Sequence, residues 1–309
     1  MSYLLTNASA LTALQNLTNT QNSLAQTQSE LSTGLAIQHA ADNTAYWSIS
    51  QTMNSDNGAL GAVSSALNVS ASMVSTFTSA LEQAISVVNL IKNDVVAAEN
   101  PTTDLAKTQA DIAAQQASLK QIVSSTAFNG QNWLQGDSTS GSTTPGSLAN
   151  SGVQTLVGGY TNAGGVTTIS VNTGNTTLID ANATAASNVG ILSKDGATYT
   201  AASVLTLDVS TAGLTTTDFQ NMLTDLNTAI NSMETAGATL GAATNQIASQ
   251  QTYVSAMQSN LSNGIASLVD ANMNQVSTRL QALQTQQQLG VQSLSIANQS
   301  SQLILKLFQ

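Results

Sequence analysis

Few side chains in this sequence can do chemistry, and their spacing limits what they could do. The single histidine, His39, cannot alone supply a metal triad or a Ser-His-Asp relay, each of which needs further positioned groups. A surface or interface position suits it better. Asn54-Ser-Asp-Asn-Gly58 is as rich in oxygen as a calcium loop but has no suitably placed closing Glu, so a helix irregularity is the simpler reading. The Gly158-Gly159 and Gly164-Gly165 pairs are not followed by Gly-Lys-Ser/Thr, which removes the phosphate cradle and leaves turns. Asp104 and Asp111 read as solvated helix faces. With no cysteine in the chain, disulfides and thiolate metal sites are excluded. The expectation is a protein with no catalytic, cofactor-binding or metal-binding residue: not an enzyme.

Composition points to surfaces instead. Hydrophobic residues make up 41% of the 309, while only 7% are charged, where about 25% is usual. Ser, Thr, Asn, Gln and Ala fill the gap, and such side chains suit long interfaces because few charges must be stripped of water when surfaces meet. The net charge is −10, and the six cations, Lys92, Lys107, Lys120, Lys194, Arg279 and Lys306, are scattered. Nucleic acid, which needs clustered cations, is therefore not an expected partner, and neither is a membrane surface. No run approaches 18 uninterrupted apolar residues, so no bilayer span is expected. The first residues lack the cationic and apolar regions of a cleaved signal peptide.

The elements that must present these surfaces are long helices. Leu4, Leu11, Leu14, Leu17, Leu24, Leu31 and Leu35 mark the first, and Leu17, Leu24 and Leu31 stand one heptad apart, as on one helical face. Gly34 suits a helix stop. A second helix is expected over about Thr44 to Ala98, and a third from about Asp104 to Ser125 beyond the helix-breaking Pro101. Another is expected from about Thr217 to Ser259. A closing stretch follows, with Leu261, Ile265, Leu268, Val269, Met273, Val276, Leu280, Leu283, Leu294, Ala297, Ile304 and Phe308 at mostly three- and four-residue steps. Between the helices, about Gly136 to Ser203 holds most of the glycines. Val166 to Val171 and Thr176 to Ile179 read as strands, and Asp137 to Gly152 as a flexible linker. The expected fold is mainly α: a long antiparallel helical hairpin or coiled coil formed by both chain ends, with a small β-rich inserted domain. Each helix is too polar to be stable singly, so each seam must find a partner.

Leu31-Ser-Thr-Gly-Leu-Ala-Ile-Gln-His-Ala-Ala-Asp-Asn-Thr-Ala45 resembles the signature that follows the first helix of bacterial flagellins. Tyr46-Trp-Ser-Ile49 and Met53-Asn-Ser-Asp-Asn57 are similar to the alphaproteobacterial subtype. Phe128-Asn-Gly130 with Trp133-Leu134 resembles the turn closing the family's first helical arm. Leu268-Val-Asp-Ala-Asn-Met-Asn274, Ala282-Leu-Gln-Thr-Gln-Gln-Gln-Leu-Gly290, Ser295-Ile-Ala-Asn298 and Leu303-Ile-Leu-Lys-Leu-Phe308 are flagellin-like too. Glu30 and Ala36 depart from residues that are often basic in the family.

The resemblance implies a structural subunit that self-assembles into the extracellular flagellar filament used for swimming. It implies three regions: residues 1–43 with 269–309 as a terminal coiled-coil inner tube, 44–137 with 204–268 as a helical outer core, and 138–203 as a variable β-rich surface insertion. The polymerisation seam it implies comprises Leu11, Leu14, Leu17, Leu24, Leu31, Leu280, Leu283, Leu294, Leu303, Ile304, Leu307 and Phe308. The partners it implies are further copies of the chain, the flagellar export machinery, an export chaperone, and hook-junction and cap proteins, with secretion through the flagellum's own channel. A hook–filament junction protein and a surface carbohydrate-binding homologue are the alternatives.

Overall fold

A computed structural model describes residues 7–136, 153–161, 164–180, 190–200 and 202–307, with side chains given as far as residue 299. The linker expected at Asp137 to Gly152 lies outside the described residues. Two compact units are present, Met1–Gly58 with Gln258–Gln309, and Ala59–Met257.

In the first unit, helix α1 (Ala8–Thr33) starts where the Asn7 side chain accepts from the Ala10 amide at 3.0 Å, satisfying one of the orphan donors of the first turn. It stops at Gly34, whose φ of 76° a residue with a Cβ would resist and whose amide donates to Glu30 O at 2.9 Å. The chain then runs extended and meets the segment before helix α5 (Met273–Leu307). Leu35 and Asp270 form an antiparallel bridge, the Ala36 amide donates to Val269 O at 2.7 Å, and the Ala271 amide donates to Gly34 O at 2.8 Å. Asp42 turns the connector by accepting from the Gln38 and His39 amides, each at 2.9 Å. Asn43 caps helix α2 (Thr44–Ala98) by accepting from the Tyr46 amide.

The second unit owes its core to an unbroken heptad pattern. Along α2 the seam positions Leu60, Val63, Leu67, Ser70, Val74, Phe77, Leu81, Ala84, Val88, Ile91, Val95 and Ala98 are all buried, alternating steps of three and four. Helix α4 (Thr216–Val269) repeats the pattern with Phe219, Met222, Leu226, Ala229, Met233, Ala236, Leu240, Ala243 and Ile247. A strict 3.5-residue period is what left-handed helix pairs require, and a Cβ at Gly237 of α4 would sit 3.6 Å from Leu81 of α2. Helix α2 is long and apolar enough to cross a bilayer, but these apolar side chains are gathered on its buried face. Helix α3 (Leu105–Ser125) adds Ile112, Leu119 and Val123. Trp133, 1% exposed, stacks on Phe77 with ring centroids 5.0 Å apart.

The middle of the chain is a thin layer of strands and turns tied to these helices. Strand β1 (Gln135–Gly136) pairs in parallel with β4 (Ile179–Asp180), and β2 (Val153–Thr161) pairs antiparallel with β3 (Gly165–Asn172). The amides of Ile191 and Leu192 donate to Thr177 O and Leu178 O. Gln116 of α3, itself buried, donates to Val204 O and Leu207 O at 3.0 Å, and Gln109 accepts from the Val209 amide at 2.8 Å. Amide side chains thus do here what a larger hydrophobic core does elsewhere.

Three local expectations are corrected. Gly158 and Gly159 lie inside β2 at a bulge, not in a turn. A Cβ at Gly158 would come within 3.2 Å of the β3 backbone, and one at Gly159 within 3.0 Å of Gln250 of α4, so strand and helix approach too closely for side chains. Asn54 to Gly58 is regular α-helix within α2. The helix expected to end near Ser259 continues to Val269, because Gly264 is tolerated inside it and the interruption falls at Asp270–Asn272. There Asn272 accepts from the Gln275 amide and caps α5.

Asp225 fastens the middle layer to α4, accepting from the Thr198 amide at 3.0 Å and the Tyr199 amide at 2.6 Å. These charge-assisted bonds are each stronger than neutral ones. Asp225→Ala is expected to cost about 1–3 kcal/mol, measured by urea unfolding, and to release the 190–200 segment first in hydrogen exchange.

Candidate assembly interface

The candidate surface is the antiparallel pair α1 and α5. Facing positions on α1 are Ala10, Ala13, Leu17, Thr20, Leu24, Thr27 and Leu31, and on α5 Val276, Leu280, Leu283, Gln287, Gly290, Leu294 and Ala297. Both sets alternate steps of three and four, the register of knobs-into-holes packing. Asn7 closes one end by donating to Ala297 O at 2.9 Å. Close approach in the middle rests on Gly290, where an added Cβ would lie 3.2 Å from Leu17 Cδ1.

Coverage is partial. Of the α1 seam only Thr27 is buried, at 1% exposure, and its hydroxyl donates to Ser23 O of its own helix at 2.8 Å. Leu17, Leu24, Leu31, Leu280, Leu283 and Leu294 are half-buried. Leu11 and Leu14 lie off the seam and are 60% and 49% exposed. Leu303, Ile304 and Leu307 fall in the last turns of α5, with their side chains outside the described residues, as is Phe308 altogether. Sequence reading missed two sets of residues. The small and polar seam positions Ala13, Thr20, Gln287 and Gly290 carry no apolar signal, though heptad arithmetic from Leu17 and Leu283 would have placed them. Leu289, Val291 and Ile296 are exposed apolar residues on α5 that stand outside its seam.

Beside the seam runs an open groove of about 600 Å³, with Ala13, Asn16, Thr20 and Ser23 on one wall and Leu283, Gln286, Leu289 and Ser293 on the other. It contains no charged side chain. Glu30 is the only charged residue of α1, and α5 carries only Arg279 and Lys306. A second helix could enter the groove without desolvating an ion, the costliest part of burying polar surface.

The chain matches the family models described as the bacterial flagellin N-terminal helical region, over residues 4–139, and the bacterial flagellin C-terminal helical region, over residues 223–308. It is 37% identical to Flagellin C of Rhizobium meliloti (strain 1021) over 332 aligned positions, covering 100% of both chains. It is 39% identical to the flagellin of Brucella melitensis biotype 1 over 317, again covering 100% of each. Flagellin A of Rhizobium meliloti is 33% identical, with the same full coverage. These relatives come from alphaproteobacteria. They favour the filament subunit over the junction-protein and carbohydrate-binding readings.

Gly290→Val should force Leu17 aside and cost about 1–3 kcal/mol by overpacking. Adding Leu17→Ala makes room, and a double-mutant cycle should return a favourable coupling of at least about 0.5 kcal/mol. Hydrogen exchange of the α1 amides is the readout. Asp42 gives a pH test. Hydrogen bonds from the His39 and then the Gln38 backbone amide hold its carboxyl below the ordinary carboxylate range. A depressed folded-state value means that the stabilisation is complete above the ordinary range and is lost as pH falls through the depressed value. The Gln38 and His39 amides should therefore lose exchange protection only below pH about 4, and Asp42→Asn should flatten that dependence.

Proposed function

The chain belongs to the bacterial flagellin family, and we propose that it polymerises through the uncovered sides of the α1–α5 pair. Its function is that of a structural subunit of the flagellar filament, the tube that turns motor rotation into swimming thrust. The family is structural, not enzymatic.

One observation carries the proposed seam: Leu11, Leu14, Leu289, Val291 and Ile296, between 49% and 66% exposed, sit on helices already paired along one stripe and nearly free of charge. Large apolar side chains left in water on an otherwise neutral helix pair are where association releases most free energy per residue. On this reading Leu17, Leu24, Leu31, Leu280, Leu283 and Leu294 hold the pair together within the subunit. Leu11 and Leu14, with Leu303, Ile304, Leu307 and Phe308, complete the seam against neighbouring copies. Residues 1–43 with 269–309 then form the inner tube, 44–137 with 204–268 the outer core, and 138–203 the outward-facing insertion. Passage through the flagellum's own export channel suits a chain without disulfides. It brings in the export machinery, an export chaperone, and the hook-junction and cap proteins as partners, and places the polymer outside the cell.

Deleting Ser301 to Gln309 removes four apolar positions from α5 and none from the core of the second unit. Expected are an unchanged cooperative unfolding transition of that unit by circular dichroism and a loss of elongation from filament seeds. Normal elongation by the shortened chain would show that the ends do not form the seam.

A further inference from the structure

Three Asn-Gly pairs occur in the sequence, Asn57-Gly58, Asn129-Gly130 and Asn263-Gly264. Each has the same latent chemistry. The glycine backbone nitrogen can attack the side-chain carbonyl carbon of the preceding asparagine, since no Cβ shields it. A new C–N bond closes a five-membered succinimide, the bond to the side-chain nitrogen breaks, and that nitrogen leaves as ammonia with the proton lost by the glycine amide. Water then opens the ring at either carbonyl. One opening gives aspartate, and the other gives isoaspartate, in which the backbone runs through the former side chain. Water is the only co-reactant.

The fold treats the three pairs differently. Asn57-Gly58 lies within α2 and Asn263-Gly264 within α4. There the glycine amide is committed to the i−4 carbonyl, and helical dihedrals keep it from turning onto the side-chain carbon. Reaction at either pair must wait for a turn of helix to open. Asn57 is held further by its Nδ2, which donates to Ser262 Oγ at 3.4 Å.

Asn129-Gly130 instead forms the tip of a tight turn. The Phe128 amide donates to Gln131 O at 2.9 Å and the Gln131 amide to Phe128 O at 3.0 Å, and neither bond uses the Gly130 amide. Asn129, at φ 50°, is the only non-glycine residue with positive φ among the described residues, followed by Gly130 at φ 78°. This is the left-handed pair that two-residue turns take. Both residues are exposed, and a Cβ at Gly130 would meet nothing within 4 Å. The side-chain amide that holds the loop together belongs to Asn132, which donates to Val123 O at 2.7 Å and accepts from the Leu134 amide at 3.0 Å.

We propose that Asn129 is a site of spontaneous covalent modification in the folded chain, converting to aspartate and isoaspartate while Asn57 and Asn263 remain amides. The aspartate product adds a negative charge to the turn. The isoaspartate product inserts a methylene into the backbone just ahead of the buried Trp133 and Leu134, where a two-residue turn has no slack.

The test incubates the full-length folded chain at mildly alkaline pH and follows the three peptides by mass spectrometry, with isoaspartyl methyltransferase labelling to identify the linkage. The Asn129 peptide is expected to convert at least about tenfold faster than the other two, since their reaction is limited by local helix opening. In concentrated guanidinium the three rates should converge. Asn129→Ser should abolish methyl labelling of the peptide that carries position 129 in the folded chain. Equal rates at all three sites in the folded chain, or labelling of that peptide that persists in Asn129→Ser, would overturn the proposal.

Discussion

A pair of antiparallel helices can cover only one stripe of each partner, and much of this molecule follows from that limit. The α1–α5 seam leaves its own leucines half-buried and turns Leu11, Leu289 and Ile296 into water. Ordering a helix costs conformational entropy at every residue, and a single shared stripe returns little against it. The shortfall is met only when more helix surface is supplied. In the second unit the same heptad logic has three helices and an aromatic pair to work with, and Leu67, Val74, Phe77 and Met222 are fully buried. The two units use one packing rule with different numbers of partners, which is why one has a closed core and the other leaves its seam half-covered.

The second constraint is how helices this polar avoid charge. Their threonines and serines turn inward to their own backbone: Thr18 to Leu14 O, Thr76 to Ser72 O, Thr228 to Thr224 O and Thr278 to Asn274 O, all between 2.8 and 2.9 Å. A hydroxyl that donates to the i−4 carbonyl presents its methyl group or carbon stem outward and asks little of a partner surface. Thr27, fully enclosed in the seam, shows that such a side chain can be buried outright. Charged surfaces would keep the subunit more soluble, but each charge placed at an interface would have to be desolvated or matched.

What could be read from the residues was whatever repeats over several turns or has a single conformational meaning. Leu17, Leu24 and Leu31 announced a helical seam, and Gly34 announced its stop because only glycine is at ease at φ 76°. The end of α4 lies beyond the expected Ser259 because Asp270-Ala-Asn272 breaks the helix through a bridge to Leu35, a contact 235 residues away in sequence that no local pattern encodes. Ala13, Thr20 and Gly290 went unseen because their contribution is absence of bulk. Gly158 and Gly159 were misread for the same reason: the neighbour they make room for, Gln250, comes from a distant helix.

The crossing of the two connectors at Leu35 and Asp270 is made of main chain alone, Ala36 to Val269 and Ala271 to Gly34. In mechanical terms it is a rivet. The two segments run in opposite directions, so a pull along one loads these amide–carbonyl bonds in shear and passes to the other. Tension that arrives through α1 is shared with α5 before either can peel away. The weak point of the joint is proline at position 36 or 271, which would remove a donor and leave one chain to carry the load.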